Sequence, residues 1–222
     1  MAQFLYERHS TKVHLNAAKR HMRLARQIKG AEEFATAIEP ACNELAEKAA
    51  ATTLATENCE TKRDLVILMD SILDDKLRDV SEGGKKYDRD NPGTDLTTLL
   101  FPQGLSSMIY APLASEPAEA DKVVLALRSL GSDHPLNAHI LPLQTAINDC
   151  KNSLNELHVA ITAEKSDEAL EAIAKLNLTR KYAQNIHAAS LKFGKQFINR
   201  LFPAIRIPKK SEEADSIADL TK

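Results

Sequence analysis

The chain has 222 residues, of which 43% are hydrophobic and 27% are charged, and its formal net charge is −2, which is ordinary for a soluble globular protein of one large or two small domains. Three cysteines without close pairing exclude a disulfide scaffold, and the N-terminal sequence has no apolar run long enough for a signal peptide or a membrane span. We therefore predict a cytoplasmic protein without a transmembrane segment.

Composition and apolar spacing predict helices in the first half of the chain. Tryptophan is absent, aromatic residues make up only 5%, and there are seven glycines, a balance that favours helix over sheet. Apolar residues spaced three and four apart predict a helix over residues 15–28 that ends at Gly30. A second helix is predicted over residues 32–58, with a kink or a fresh start at Pro40. A third covers residues 65–80 and ends at Gly83.

The middle of the chain is predicted to be less regular. Residues 83–94 form a polar sequence typical of a loop, and residues 96–113 are apolar but are interrupted by proline and glycine. We interpret the latter segment as an irregular crossover. Ser115 and Pro117 then indicate the start of a short helix, which ends at Gly131.

The second half of the chain has clearer helical seams. Apolar residues from Ile147 to Ile161 alternate in steps of three and four, and a similar series from Ala169 to Phe197 follows a polar turn predicted at residues 164–167. Residues 209–222 are polar and acidic, and we predict a mobile acidic tail there.

Three landmarks occur twice in the same order, about 101 residues apart. The pairs are Leu24-Ala25 to Gly30 with Leu125-Ala126 to Gly131, Ile38-Glu39-Pro40 with Ile140-Leu141-Pro142, and Leu100-Phe101-Pro102 with Leu201-Phe202-Pro203. They predict an all-α protein, an antiparallel helical bundle built from two similar three-helix units. The first unit would be residues 1–114, and the second, residues 115–208, would pack with it into one bundle.

Basic residues are concentrated at the N-terminus. Residues 1–29 contain seven Lys or Arg and one acid, whereas residues 30–82 contain five bases and thirteen acids. The cations of the predicted first helix are candidates for an anion-binding site that could contact nucleic-acid phosphates or anionic lipids. They are Lys12, Lys19, Arg20, Arg23 and Arg26.

Motifs for catalysis, metals and cofactors are absent from the sequence. There is no Glu-x-x-His pair, no Gly-x-Ser-x-Gly and no complete phosphate-binding loop, so we predict no cofactor, no metal and no catalytic residue. His14 and His21 lie among Lys and Arg, and we expect them to be solvated or to cap a helix. Arg180 and His187 resemble the Arg-x4–6-His motif of HEPN-type helical ribonucleases, and the resemblance implies phosphate stabilisation by Arg180 and base catalysis by His187.

A helical bundle without catalytic motifs is more typical of a protein that is not an enzyme. The leading prediction is a scaffold or protein-interaction module, which could self-associate. The alternative is a nucleic-acid or anionic-surface binder that uses the basic first helix, and a HEPN-like ribonuclease is the weaker alternative.

Overall fold

The computed structural model describes residues 4–205, and within that range the regular secondary structure is helical. The all-α prediction is confirmed. None of the described helices combines the length and the apolarity needed to cross a membrane. The predicted tail, residues 209–222, lies outside the described residues. The helices are α1 (Thr11–Gln27), α2 (Glu32–Asp90), α3 (Leu96–Leu100), α4 (Leu105–Ile109), α5 (Glu116–Ser129), a 3₁₀ helix (Pro135–His139), α6 (Ile140–Phe193) and α7 (Lys195–Leu201).

Two helices are much longer than the sequence predicts. Helix α2 has 59 residues and continues through Pro40, and α6 has 54 residues and continues through the predicted turn at 164–167. The four predicted long helices are therefore two continuous ones. The turn at 164–167 and a fresh start at Pro40 are wrong, whereas a kink at Pro40 stays a prediction. The turn prediction failed because seven of the nine residues 163–171 are Ala, Glu, Lys or Leu, which favour helix even where a segment is mostly polar.

Gly83 and Gly84 also continue α2, although they were predicted to end it. A Cβ atom on Gly83 would lie 2.7 Å from Leu136 Cδ2, and one on Gly84 would lie 3.2 Å from Thr97 Oγ1. These glycines therefore allow neighbouring segments to approach the helix closely. Helix α2 ends before Gly93, whose φ of +100° is a conformation that favours glycine.

Packing divides the chain into two compact units. The terminal unit comprises Met1–Leu54 and Lys165–Lys222, and the central unit comprises Ala55–Glu164. Helices α2 and α6 each contribute one part to each unit. This division differs from the predicted segments 1–114 and 115–208. Those segments describe a repeat in the sequence, and the repeat stays a prediction.

The core of the terminal unit lies between α1, residues 32–54 of α2, residues 165–193 of α6, and α7. Within this unit, Lys192 Nζ contacts Glu33 Oε1 at 2.7 Å, and Asn177 Nδ2 donates to Glu44 Oε2 at 2.9 Å. Rising numbers on α2 thus pair with falling numbers on α6, so the two segments are antiparallel. Large fully buried side chains of this core include Ile38, Leu45, Leu178, Tyr182, Leu201 and Phe202.

The core of the central unit is formed mainly by residues 55–90 of α2, α3, α5 and residues 140–164 of α6. Helix α3 is capped by Asp88 of α2, whose carboxylate accepts hydrogen bonds from Leu96 N–H at 2.8 Å and Thr97 N–H at 3.0 Å. These bonds, with one from the Thr97 hydroxyl, lower the pKa of Asp88 to about 2. Large fully buried side chains of this core include Leu73, Leu77, Leu127, Leu143 and Ile147.

The repeated sequence landmarks adopt similar local conformations. Gly30 follows α1 with φ of +84°, and Gly131 follows α5 with φ of +94°. Phe101 and Phe202 are both buried directly after a short helix, with φ and ψ of −129° and 72° in one case and −125° and 69° in the other. Duplication of an ancestral unit stays a prediction.

Candidate functional site

Helix α1 is a short, well-delimited helix that contains no acidic residue. Its N-cap is Ser10, whose hydroxyl accepts a hydrogen bond from Val13 N–H at 3.4 Å. Its last turn carries Arg26, a cation placed favourably at the negative end of the helix dipole. The sequence prediction of a helix ending before Gly30 holds here.

The exposed side chains of α1 are all hydrogen-bond donors. They occupy an arc of about 120° when successive residues are placed 100° apart around the helix. Each of the five predicted anion-binding residues belongs to this set, and two amide side chains complete it. The set, which we call the α1 donor face, is Lys12, Asn16, Lys19, Arg20, Arg23, Arg26 and Gln27.

Few of these cations are neutralised by neighbours. Arg26 Nη2 contacts Glu39 Oε1 at 2.7 Å, and Arg20 Nη1 donates to the Ala204 carbonyl at 3.5 Å. Lys12, Lys19 and Arg23 form no ion pair with any residue in the range 4–205. Much of the positive charge of α1 therefore faces solvent.

The opposite side of α1 is buried in the terminal core through Ala18, Met22 and Ala25. His14 and His21 lie on this side and are both 0% exposed, so they are not solvated. The other alternative, a capping role, fits His21, because its ring donates to the carbonyl of Leu201, the last residue of α7. The sequence misled because their partners, Thr179, Asn185 and Leu201, lie more than 160 residues away.

His21 is held in a complete hydrogen-bond arrangement. Its Nδ1 donates to the Leu201 carbonyl at 3.1 Å, and its Nε2 accepts from Asn185 Nδ2 at 3.2 Å. The same amide group donates to the Phe34 carbonyl at 2.7 Å. The ring also stacks on Phe202 with centroids 4.1 Å apart. Burial lowers the pKa of His21, which favours the neutral ring that this arrangement requires.

His14 fixes the first turn of α1 to α6. Its Nδ1 lies 3.0 Å from the Ser10 carbonyl, and its Nε2 lies 3.0 Å from Thr179 Oγ1. Burial also lowers the pKa of His14. Two internal histidines therefore hold the helix in place and leave the donor face free.

A small cavity borders the donor face. It has a volume of about 150 Å³ and is lined by Asn16 and Arg20 of α1, by Tyr182 of α6 and by residues 203–205, among others. Tyr182 is almost completely buried, and burial raises its pKa. Tyr182 was not predicted, because the apolar series from Ala169 to Phe197 reads through Leu176, Thr179 and Ala183 in steps of three and four. In the structure Leu178 and Tyr182 are buried, whereas Leu176 is exposed.

The residues of the proposed ribonuclease motif lie on the surface of α6. Arg180 and His187 are both exposed, two helical turns apart on one helix. Their assignment stays a prediction. The three cysteines are buried, and burial raises the pKa of the Cys150 thiol to about 11. None of them is placed as an activated nucleophile.

The central unit contains a group of carboxyl side chains around Glu116. Asp70 and Asp74 of α2 face Glu116 at the start of α5, and Glu116 is 1% exposed. One oxygen of each carboxyl group has no hydrogen-bond donor among the described residues. Burial is the main cause that raises the pKa of Glu116 to about 9, and the neighbouring Asp70 and Asp74 carboxyl groups raise it further. A proton on Glu116 supplies one hydrogen-bond donor to this group of oxygens. No group of three or more His, Cys, Asp or Glu in the described range is arranged to hold a metal ion.

The central unit also has an apolar cavity of about 380 Å³ between α3, α4 and α5. Its walls include Leu99, Phe101, Met108 and Ala126, and Lys122 and Glu119 form an ion pair of 2.7 Å at its margin. This volume lies in the range of small-molecule pockets. No pattern in the sequence indicated this cavity, because most of its walls come from residues 99–111, in the segment predicted to be irregular.

Comparison with known proteins gives no functional assignment. No protein family, curated protein or solved structure matches the chain. The candidate site is therefore defined by its residues and their geometry.

Proposed function

We propose that this protein binds nucleic acid through the α1 donor face. The observation that carries the proposal is the composition of that face: each exposed residue of α1 is Lys, Arg, Asn or Gln. These side chains donate hydrogen bonds, and the cationic ones contact phosphate oxygens in protein–nucleic acid complexes. The leading sequence prediction was a protein-interaction module, but the donor face is the more specific surface feature.

The charge of the region supports binding to a polyanion. Residues 1–29 contain seven bases and one acid, and α1 itself contains no acid. Glu39 pairs with Arg26, and Lys12, Lys19 and Arg23 have no ion-pair partner in the described part of the chain, so these three cations are available to a ligand. Release of counterions from the ligand would drive association with these cations.

The packing of α1 favours nucleic acid over a lipid surface. A helix that binds in a membrane interface inserts its apolar side into the lipid. In α1 that side is already buried against the protein by Ala18, Met22 and Ala25. The donor face offers charge and hydrogen bonds but no apolar surface for insertion.

The proposal is tested by fluorescence anisotropy with a labelled 20-base-pair DNA duplex and the full chain. Lys12→Glu combined with Lys19→Glu reverses two exposed cations that have no ion-pair partner among residues 4–205. We expect the double variant to weaken binding at least tenfold at about 100 mM salt, because two phosphate contacts are lost.

The matched control is Lys85→Glu combined with Lys86→Glu. These exposed residues lie on α2 in the central unit, and the change in net charge is the same. The control should bind like the unaltered protein. Equal weakening in both variants, or binding to phosphatidylserine vesicles without binding to DNA, would overturn the proposal.

A second candidate function is self-association through the central unit, in line with the predicted interaction module. Leu99 at the cavity wall is 56% exposed, and Tyr110, close to the cavity after α4, is 86% exposed. Leu113 is also exposed. A group of exposed apolar side chains around a cavity is typical of a protein-interaction surface.

Sedimentation over a range of protein concentrations tests this candidate. Leu99→Ser combined with Leu113→Ser should shift any dimer towards monomer, whereas Leu191→Ser, which alters an exposed leucine of the terminal unit, should not. A monomer at every concentration would contradict self-association.

The cytoplasmic location predicted from the sequence remains part of the proposal.

A further inference from the structure

We infer that α1 recognises base edges in the major groove of double-stranded DNA, through its central row of side chains. The central row is Asn16, Arg20, Arg23 and Gln27. This inference rests on the proposed function and names its ligand class. It concerns sequence recognition, which phosphate binding alone does not require.

The donor face has two parallel rows. Asn16, Arg20, Arg23 and Gln27 follow one another in steps of four, three and four and so lie within about 60° around the helix. Lys12, Lys19 and Arg26 form a row along one margin. The two rows occupy the two halves of the arc: one holds both amides and two of the three arginines, and the other holds both lysines and Arg26.

The side-chain types of the central row match the donors and acceptors of bases. Arginine binds guanine through two hydrogen bonds to O6 and N7, and asparagine or glutamine binds adenine through N6 and N7. Lysine, a flexible point charge, is suited to phosphate. The marginal row is therefore placed to hold the DNA backbone while the central row contacts bases.

Duplex DNA fits this face better than other nucleic acids. The DNA major groove is about 12 Å wide and admits an α-helix, whereas the RNA major groove is deep and narrow. Binding of single strands commonly uses aromatic rings as stacking surfaces, and none of the exposed residues of α1 is aromatic. Asn16 to Gln27 span about 16 Å along the helix axis, or roughly five base-pair steps.

The helix is held rigidly enough to present this row. His14 and His21 anchor its inner side to α6 and to the Leu201 carbonyl, and Arg20 is oriented by the Ala204 carbonyl at 3.5 Å. Side chains on a fixed helix lose less freedom on binding than side chains on a loop. The donor face is therefore preorganised.

The test selects binding duplexes from a library with ten randomised base pairs, using the full chain at about 150 mM salt. We expect enrichment of a short motif that binds at least tenfold more tightly than a scrambled duplex. Asn16→Ala should reduce the preference at one motif position roughly tenfold, with an unchanged salt dependence. Gln27→Ala should do the same at another position.

Two comparisons separate recognition of bases from binding of phosphate. Lys12→Ala should weaken binding to the motif and to the scrambled duplex equally, and it should reduce the salt slope by about one. Asn152→Ala, which removes an exposed amide from α6, should change neither affinity nor preference. Circular dichroism confirms that each variant is folded.

The possible failures are distinct. If no motif is enriched, or if single strands bind as tightly as the duplex, the inference is wrong although the proposed function stands. The inference is equally wrong if Asn16→Ala weakens all sequences alike. If the chain binds no DNA at about 50 mM salt, the proposed function itself is wrong.

Discussion

At the scale of single residues, the protonation of Glu116 is linked to folding. Its pKa in the folded chain is about 9, because burial and the neighbouring Asp70 and Asp74 disfavour its charge, and the ordinary value is 4.5. Arg78 on α2, paired with Asp74 at 3.1 Å, and the Cys150 thiol on α6 are the other titratable groups near the cluster. Between pH 4.5 and 9 the unfolded chain loses this proton while the folded chain keeps it. The contribution of Glu116 to stability is therefore complete below pH 4.5 and is lost as the pH rises to about 9.

Glu116→Gln should stabilise the central unit at neutral pH. The amide keeps a donor that faces Asp70 and Asp74 but cannot ionise, so the free energy of unfolding should rise by about 1–3 kcal/mol at pH 7. The decrease in the free energy of unfolding between pH 6 and pH 9 should also become smaller in this variant. Urea unfolding at several pH values measures both effects.

Glu119→Gln is the matched control in the same helix. Glu119 is paired with Lys122 at the surface, so its replacement should change stability by less than about 1 kcal/mol and leave the pH profile intact. A Glu116→Gln protein that is less stable at pH 7, or that keeps the original pH profile, would show that Glu116 is ionised in the folded chain.

The residue scale also shows where sequence reasoning ends. The donor-face cations were predicted because their spacing on one helix is a local property of the sequence. His14 and His21 were expected to be solvated or to cap a helix. They are not solvated, because Thr179 and Asn185 of α6 and Leu201 at the end of α7 bind them in the interior. Periodicity identifies the faces of a helix, but it does not identify the partner that each face meets.

At the scale of elements, the glycines of α2 illustrate the same limit. Glycine is a poor helix former, so Gly83-Gly84 indicated a helix end. The structure uses them within the helix because Leu136 and Thr97 lie where their side chains would be. This contact is between segments more than ten residues apart and has no local signal.

Gly83→Val should therefore destabilise the central unit. The new side chain would begin with a Cβ atom 2.7 Å from Leu136 Cδ2 and 3.2 Å from His139 Nε2, and overpacking of this kind costs about 1–3 kcal/mol. The control is Glu82→Val at the adjacent exposed position, which has the same new side chain without the crowding. Thermal unfolding compares the two variants. Equal melting temperatures would mean that Leu136 moves aside without cost.

At the scale of the whole molecule, helix class and surface charge were predictable, whereas helix continuity and the division into units were not. Composition and apolar spacing act locally, and they indicated helices over most of the chain outside residues 83–113. The terminal unit combines Met1–Leu54 with Lys165–Lys222, segments separated by more than one hundred residues. Such a division depends on contacts between segments far apart in the chain. A single sequence shows which helix faces are apolar, but it does not show which segments those faces contact.

The role of the α1 donor face also depends on the structure of the whole molecule. The basic segment was evident in the sequence, but a basic helix can equally pair with acidic residues of its own chain. The structure shows that Glu39 neutralises Arg26, whereas Lys12, Lys19 and Arg23 have no ion-pair partner among residues 4–205. Exposure of these cations is the basis for the proposed binding of nucleic acid.

The salt dependence of DNA binding tests this central claim most directly. The affinity of the full chain for a 20-base-pair duplex should be measured between about 50 and 200 mM salt. If Lys12 and Lys19, which have no ion-pair partner among the described residues, each contact a phosphate, the plot of log affinity against log salt concentration should have a slope of about −2 or steeper. Lys12→Glu combined with Lys19→Glu should make that slope shallower by about two. A slope near zero, or no detectable binding at 50 mM salt, would contradict the account.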